Sequence, residues 1–120
     1  MFPERLKAAL KQEGSAAFVT QGPAGPHLVA TWNSFIEVVD ASTLVFPAGG
    51  YRTTEANLRS GSPVQMIIGG HLPEGVGFRL TGMADLEVGT PHHARLQQRF
   101  PWSRAAVVFH VRGVEQVLGK

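Results

Sequence analysis

The residues best able to do chemistry lie between positions 47 and 57, in the run Pro-Ala-Gly-Gly-Tyr-Arg-Thr-Thr-Glu-Ala-Asn. Gly49 and Gly50 permit close backbone approach, Arg52 supplies a fork of donors, and Thr53 and Thr54 bring hydroxyls to the start of a helical stretch. A helix N-terminus presents free N–H groups and a partial positive charge, so it favours an anion. Arg52, Thr53 and Thr54 therefore form a candidate phosphate cradle. The same spacing also suits a glycine loop feeding an ordinary threonine cap. Trp32, in Thr31-Trp32-Asn33-Ser34, offers a flat contact surface to a planar ligand, or fills one end of the core. Trp102, just after Pro101, admits the same two readings.

Other chemistries find little material. The five histidines (27, 71, 92, 93 and 110) are dispersed, and adjacent His92 and His93 point apart on a helix, so no metal site is expected. Zero cysteines remove thiolate metal sites, disulfides and cysteine nucleophiles together. No Walker loop, dinucleotide fingerprint or Gly-x-Ser-x-Gly elbow occurs. Asp40 and Asp85 are the only aspartates, and Glu13, Glu37 and Glu55 read as solvated, capping or partner-facing charges. No catalytic side chain emerges. Any reaction here is expected to be a cofactor's.

The elements that must position these residues are mostly strands. Leu6, Ala9 and Leu10 share one face of a short helix that starts near Pro3 and stops at Gly14. Ala16–Gln21 and His27–Ser34 alternate as strands around the turn Gly22-Pro23-Ala24-Gly25-Pro26. Phe35–Val39 and Thr43–Phe46 suit a hairpin closed by Pro47, and a short helix opens at Thr53-Thr54, one of them its cap. Val64–Ile68 and a long strand Val76–Val88, bent at Gly82, follow. A helix over Pro91–Phe100 and a last strand from Ala105, extending toward Leu118, complete the chain. Six or seven strands with three small helices predict a small β-barrel, because a doubly wound fold needs long crossover helices that are missing.

Composition agrees with a single domain over positions 1–120: 43% hydrophobic, 17% charged, with 14 glycines and 8 prolines. Such a chain buries about two-thirds of its surface without needing a staple. The sparse charge also suits a protein that hides surface in an oligomer. Eleven basic against nine acidic residues leave +2, with the arginines scattered, which speaks against a nucleic-acid surface. No apolar run reaches membrane-span length and the N-terminal residues lack a signal-peptide core, so cytoplasm is the expected compartment.

Read together, Thr20-Gln21-Gly22, Gly25-Pro26-His27-Leu28-Val29, Thr31-Trp32-Asn33-Ser34, Pro47, Gly49-Gly50 and Thr54-Glu55-Ala56-Asn57 form a longer pattern. It resembles the small FMN-binding proteins first described from sulfate-reducing bacteria, members of the flavin split-barrel group that also contains pyridoxamine phosphate oxidases. Gly77-Phe78, Phe100, Trp102, Arg104-Ala105-Ala106 and Glu115-Gln116 extend the match over essentially the whole chain, almost without gaps before the loop near Gly70–Gly75.

The resemblance implies a mainly β fold with short helices: a six-stranded antiparallel split β-barrel, forming a homodimer with one FMN per subunit beside the interface. By the same resemblance Arg52, Thr53 and Thr54 would surround the phosphate, and Pro47, Ala48, Gly49 and Gly50 would line the ring with backbone groups. Ala30 and Thr31 would lie near the ring or its ribityl chain, with Trp32, Phe35 and Trp102 against its edge or face. Three positions depart from the family pattern: Thr53 replaces a lysine, Phe35 a tyrosine and Ala30 an asparagine. The phosphate charge then rests on Arg52, which can bind it bidentately.

Three functions compete. The leading one is a small electron-transfer flavoprotein, served by a redox donor or acceptor protein or by NAD(P)H, because FMN carries the chemistry and the protein sets access and potential. A flavin reductase or a pyridoxamine phosphate oxidase-like enzyme is the second, although the oxidase's arginine–serine cluster for a second phosphate has no match. A basic barrel that binds nucleic acid or a protein partner without cofactor is the third.

Overall fold

Two textures of strand account for the architecture. Where one face meets solvent, burial alternates, as along Val64, Met66 and Ile68. Where both faces are covered, it does not: every residue of Thr43–Ala48 is buried. Along that strand Leu44, Phe46 and Ala48 enter the main core, while Val45 joins a second cluster with Leu96, Phe100, Ala106 and Val108. An unbroken apolar run is what a doubly covered strand requires.

The computed structural model describes residues 1–71 and 73–119. Position 72, in the loop where the family match breaks, lies outside the described residues. The order is α1 (Glu4–Leu10), β1 (Ser15–Gly22), β2 (Gly25–Trp32), a 3-10 turn (Asn33–Phe35), β3 (Glu37–Asp40), β4 (Thr43–Ala48), α2 (Arg52–Arg59), β5 (Pro63–His71), β6 (Gly75–Glu87), α3 (Pro91–Arg99) and β7 (Ala105–Leu118). The strands form one antiparallel sheet ordered β2-β1-β5-β6-β7-β4-β3.

The expected barrel of six strands is therefore corrected to a sheet of seven, with β2 and β3 at its edges and no ladder joining them among the described residues. Strand β3, expected over Phe35–Val39, is the four residues Glu37–Asp40. The 3-10 turn Asn33–Phe35 separates it from β2, so Phe35 and Ile36 fall outside the expected hairpin strand. The longest strands are β6 and β7, 13 and 14 residues long, whose pairing shifts at Thr81/Gly82 and again at Gly77/Phe78. A β-carbon on Gly82 would collide with the His110 carbonyl, so the two strands can approach this closely only with glycine there.

Helix α1 buries Leu6, Ala9 and Leu10, the expected face, but ends at Leu10 with Lys11 as its cap rather than at Gly14. Asn33 ties that end down: its amide donates to the carbonyls of Ala9, Gln12 and Gly69 at 3.3, 2.9 and 3.1 Å. Beside it, the Ser34 hydroxyl donates to Glu13 at 2.6 Å. Helix α3 is held to β3 through Glu37, which meets Arg95 and Arg99 at 3.2 and 3.1 Å. Among the described residues no helix is long and apolar enough to cross a membrane.

Candidate functional site

A cavity of about 400 Å³ opens where the end of β2 faces the end of β4 and the start of α2. Its wall is Ala30, Thr31, Trp32 and Phe35 on one side, Pro47, Gly49, Gly50 and Tyr51 on the other, and Trp102. Pro47 extends β4 beyond its last pair with β3, Glu37 with Val45, while β7 still pairs with it. A proline is tolerated where ladder bonds run out on one side. The rest of the wall is aromatic packing. Phe35 lies 4.5 Å from Phe100 and 5.8 Å from Trp102 between ring centroids, and Phe100 and Trp102 are 5.5 Å apart.

Gly49 answers to Trp102. A β-carbon there would sit 3.1 Å from indole Cε3 and 3.2 Å from Cζ3, so the indole rests on bare backbone. Arg104 holds this turn in place: its backbone N–H donates to the Ala48 carbonyl at 2.8 Å and its guanidinium to the Gly49 carbonyl at 3.1 Å. The same guanidinium pairs with Glu55 at 3.3 Å.

Helix α2 begins at Arg52 with Tyr51 as its N-cap residue, and no side chain caps it. The expected threonine cap is thus corrected. The helix starts one residue early, because Glu55 N–H already reaches the Tyr51 carbonyl at 2.7 Å, and both threonines fall in the first turn. Arg52 and Thr53 are exposed. Thr54 is buried, and its hydroxyl has no hydrogen-bond partner. The register of α2 is set by Asn57, whose amide donates to Thr20 at 3.0 Å and whose carbonyl oxygen occupies the space a side chain on Gly22 would need. These contacts give the Thr20–Gly22 and Thr54–Asn57 motifs a shared structural task.

Eight of the residues expected at a flavin thus line one cavity: Ala30, Thr31, Trp32, Phe35, Pro47, Gly49, Gly50 and Trp102. Arg52, Thr53 and Thr54 follow Tyr51 directly and stand at its margin rather than in its wall. Ala48, expected to offer only its backbone, has its side chain in the main core, and its carbonyl accepts from the Arg104 N–H. Sequence reasoning passed over Tyr51, which carried no motif signal, although it is the only tyrosine in the chain. Its hydroxyl donates to the Ala30 carbonyl at 2.5 Å, its ring meets Phe18 edge-on at 5.6 Å, and burial pushes its pKa up. Reasoning from types also missed Arg104 and Glu55 as a clamp, since 49 positions separate them.

The residues present fit an FMN. The wall is flat, aromatic and glycine-rich, as a fused ring system needs. The first turn of α2 adds an arginine, free N–H groups and an orphaned buried hydroxyl, as a phosphate needs. Thr31 adds a second buried hydroxyl, next to the Tyr51 phenol.

The fold is the one found in solved pyridoxamine 5'-phosphate oxidase-like proteins. Solved structures show the same fold at low identity. HupZ of Group A Streptococcus matches with TM-score 0.83 and 15% identity over 98% of this chain and 94% of its own. A pyridoxamine 5'-phosphate oxidase-like protein of Listeria innocua matches at 0.77 and 18%, over 97% and 98%. An FMN-binding protein of Syntrophomonas wolfei matches at 0.72 and 14%, over 98% and 86%. No family model matches the chain. The chain belongs to the family of the FMN-binding protein of Nitratidesulfovibrio vulgaris (strain DSM 19637 / Miyazaki F), with 41% identity over 123 residues, 98% of this chain and 100% of that protein.

Proposed function

We propose that this chain binds FMN in the cavity between β2, β4 and Trp102, and serves as a small electron-transfer flavoprotein working as a homodimer. The observation that carries the reading is the meeting of the aromatic and glycine wall with the unpartnered Thr54 hydroxyl in the first turn of α2. Arg52 would supply the positive charge for the phosphate, Thr53 and Thr54 the hydroxyls and free N–H groups. Pro47, Gly49 and Gly50 would present backbone to the ring, and Trp32, Phe35 and Trp102 would exclude water from it. Bound FMN supplies one- and two-electron redox chemistry.

Electron transfer is favoured over substrate turnover because, among the described residues, Tyr51 is the only titratable side chain in the wall, and its proton is engaged by the Ala30 carbonyl. The homodimer is supported by an exposed apolar strip continuous with the cavity: Leu28 is 69% exposed, Trp32 49% and, two strands away, Ile67 44%. Solvent-facing apolar area of that kind marks an association surface. The split-barrel description goes with this reading, with β6 and β7 serving both halves and their bulges marking the split.

The test is a visible spectrum after FMN addition and gel filtration, with sedimentation on the same sample. The reading expects a retained flavin spectrum near one equivalent per chain, reversible bleaching by dithionite, a dimer mass and no steady NADH oxidation. A colourless protein overturns the cofactor assignment, and sustained NADH turnover replaces electron transfer with reductase activity.

A further inference from the structure

Tyr51 sits at a junction. On its N-terminal side Gly49 and Gly50 belong to the part of the wall that suits the ring; on its C-terminal side Arg52–Thr54 form the part that suits the phosphate. What connects ring to phosphate in FMN is a chain of three hydroxylated carbons. A sugar-alcohol hydroxyl both donates and accepts, so it is best met by one acceptor and one donor. The phenolic oxygen of Tyr51 gives its proton to the Ala30 carbonyl at 2.5 Å; the Thr31 side chain stands beside it on one side, and a lone pair is left for a further donor. One residue further along β2, the buried Thr31 side chain places a second hydroxyl next to the same phenol.

We propose that Tyr51 reads the ribityl chain of the flavin rather than its ring: its oxygen accepts from a ribityl hydroxyl while the Ala30 carbonyl holds its proton and its orientation. This inference rests on the FMN reading above and adds a recognition residue to it. The contact of the Tyr51 ring with Phe18 anchors the side chain independently of any ligand. Ala30 leaves room on the strand for the phenol to reach the main chain.

Lumiflavin, which carries a methyl group where riboflavin carries the ribityl chain, separates the alternatives. In Tyr51→Phe the affinity for riboflavin and FMN is expected to fall about 3–10-fold, the worth of one hydrogen bond, while lumiflavin affinity stays unchanged. Equal losses for riboflavin and lumiflavin overturn the proposal, because Tyr51 then shapes the ring pocket; no loss for either overturns it as well. Should the variant fail to fold, the unaltered chain still decides. With one tyrosine, ring-carbon-labelled protein gives a single tyrosine resonance, expected to move further with riboflavin than with lumiflavin, and equal movement overturns the assignment. An unaltered chain that binds no flavin fails the FMN reading itself, a result seen before any variant is made.

Discussion

The guanidinium of Arg104 lies 3.3 Å from the carboxylate of Glu55, whose side chain is only 11% exposed, while Arg104 itself is 56% exposed. One end of the clamp is in solvent and the other in the protein. Because the same guanidinium also donates to the Gly49 carbonyl, the pair joins the start of β7 to both the glycine turn and the first turn of α2. Removing Arg104 strands a nearly buried carboxylate, whereas Glu55→Gln leaves an amide oxygen that still accepts. We expect Arg104→Ala to cost about 1–2 kcal/mol, discounted from a fully buried pair for the exposure of the arginine, and Glu55→Gln to cost less. Urea unfolding of the two variants checks the order; a costlier Glu55→Gln would contradict it.

Gly49 offers a cleaner separation of site from fold. A methyl group there meets the Trp102 ring at 3.1–3.2 Å, and the indole, 49% exposed, can yield outward. Gly49→Ala should therefore leave the unfolding midpoint nearly unchanged while FMN affinity drops roughly tenfold, about 1.4 kcal/mol. Tryptophan-quenching titration with FMN measures the loss. Undiminished affinity would show that the indole's seat on residue 49 does not shape the site.

Thr54 should behave with opposite signs in the two assays. Its hydroxyl is buried without a partner, a cost the folded ligand-free protein carries. Thr54→Val is expected to keep or raise stability, by up to about 1 kcal/mol, while weakening FMN but not riboflavin, which lacks the phosphate. Arg52→Ala should weaken FMN alone too, and should flatten the dependence of FMN binding on salt. Riboflavin and FMN weakened alike would move the phosphate away from α2.

Glu13 and Tyr51 shift the pH dependence in opposite directions. Glu13 has its pKa lowered, first by the Ser34 hydroxyl and then by the Ser34 N–H. A depressed carboxylate contributes stability above its unfolded value, about 4.3, and loses it as pH falls through the lower folded value. The acid limb of a denaturation-midpoint profile should accordingly be shallower in Glu13→Gln. Tyr51 is shifted the other way, by burial. The folded state prefers the neutral phenol, so stability declines as pH rises above about 10, where the unfolded phenol ionises. Near-ultraviolet absorbance reads the single tyrosine directly, and a midpoint at or below that of free tyrosine would contradict its burial.

Much of this molecule was legible along the chain because it depends on local rules. The α1 face of Leu6, Ala9 and Leu10, the bend at Gly82 and the glycine run before a helix each follow from period, glycine geometry or helix-end polarity within a few residues. The family resemblance reached eight residues of the cavity wall for the same reason: its motifs are short, and each stays within one element or turn. Three things were decided only in three dimensions. β3 starts at Glu37 rather than Phe35 because the 3-10 turn at Asn33–Phe35, anchored by Asn33 to three carbonyls, takes up the residues after β2. Ala48 turned into the core because strand alternation gives successive side chains opposite faces, and its neighbours Pro47 and Gly49 took the cavity. Tyr51 and the Arg104–Glu55 clamp entered the site through partners 21 and 49 positions away. Side-chain type and spacing encode what a residue can do; which distant carbonyl or carboxylate it meets depends on how the sheet curls, and that is a property of the packed whole.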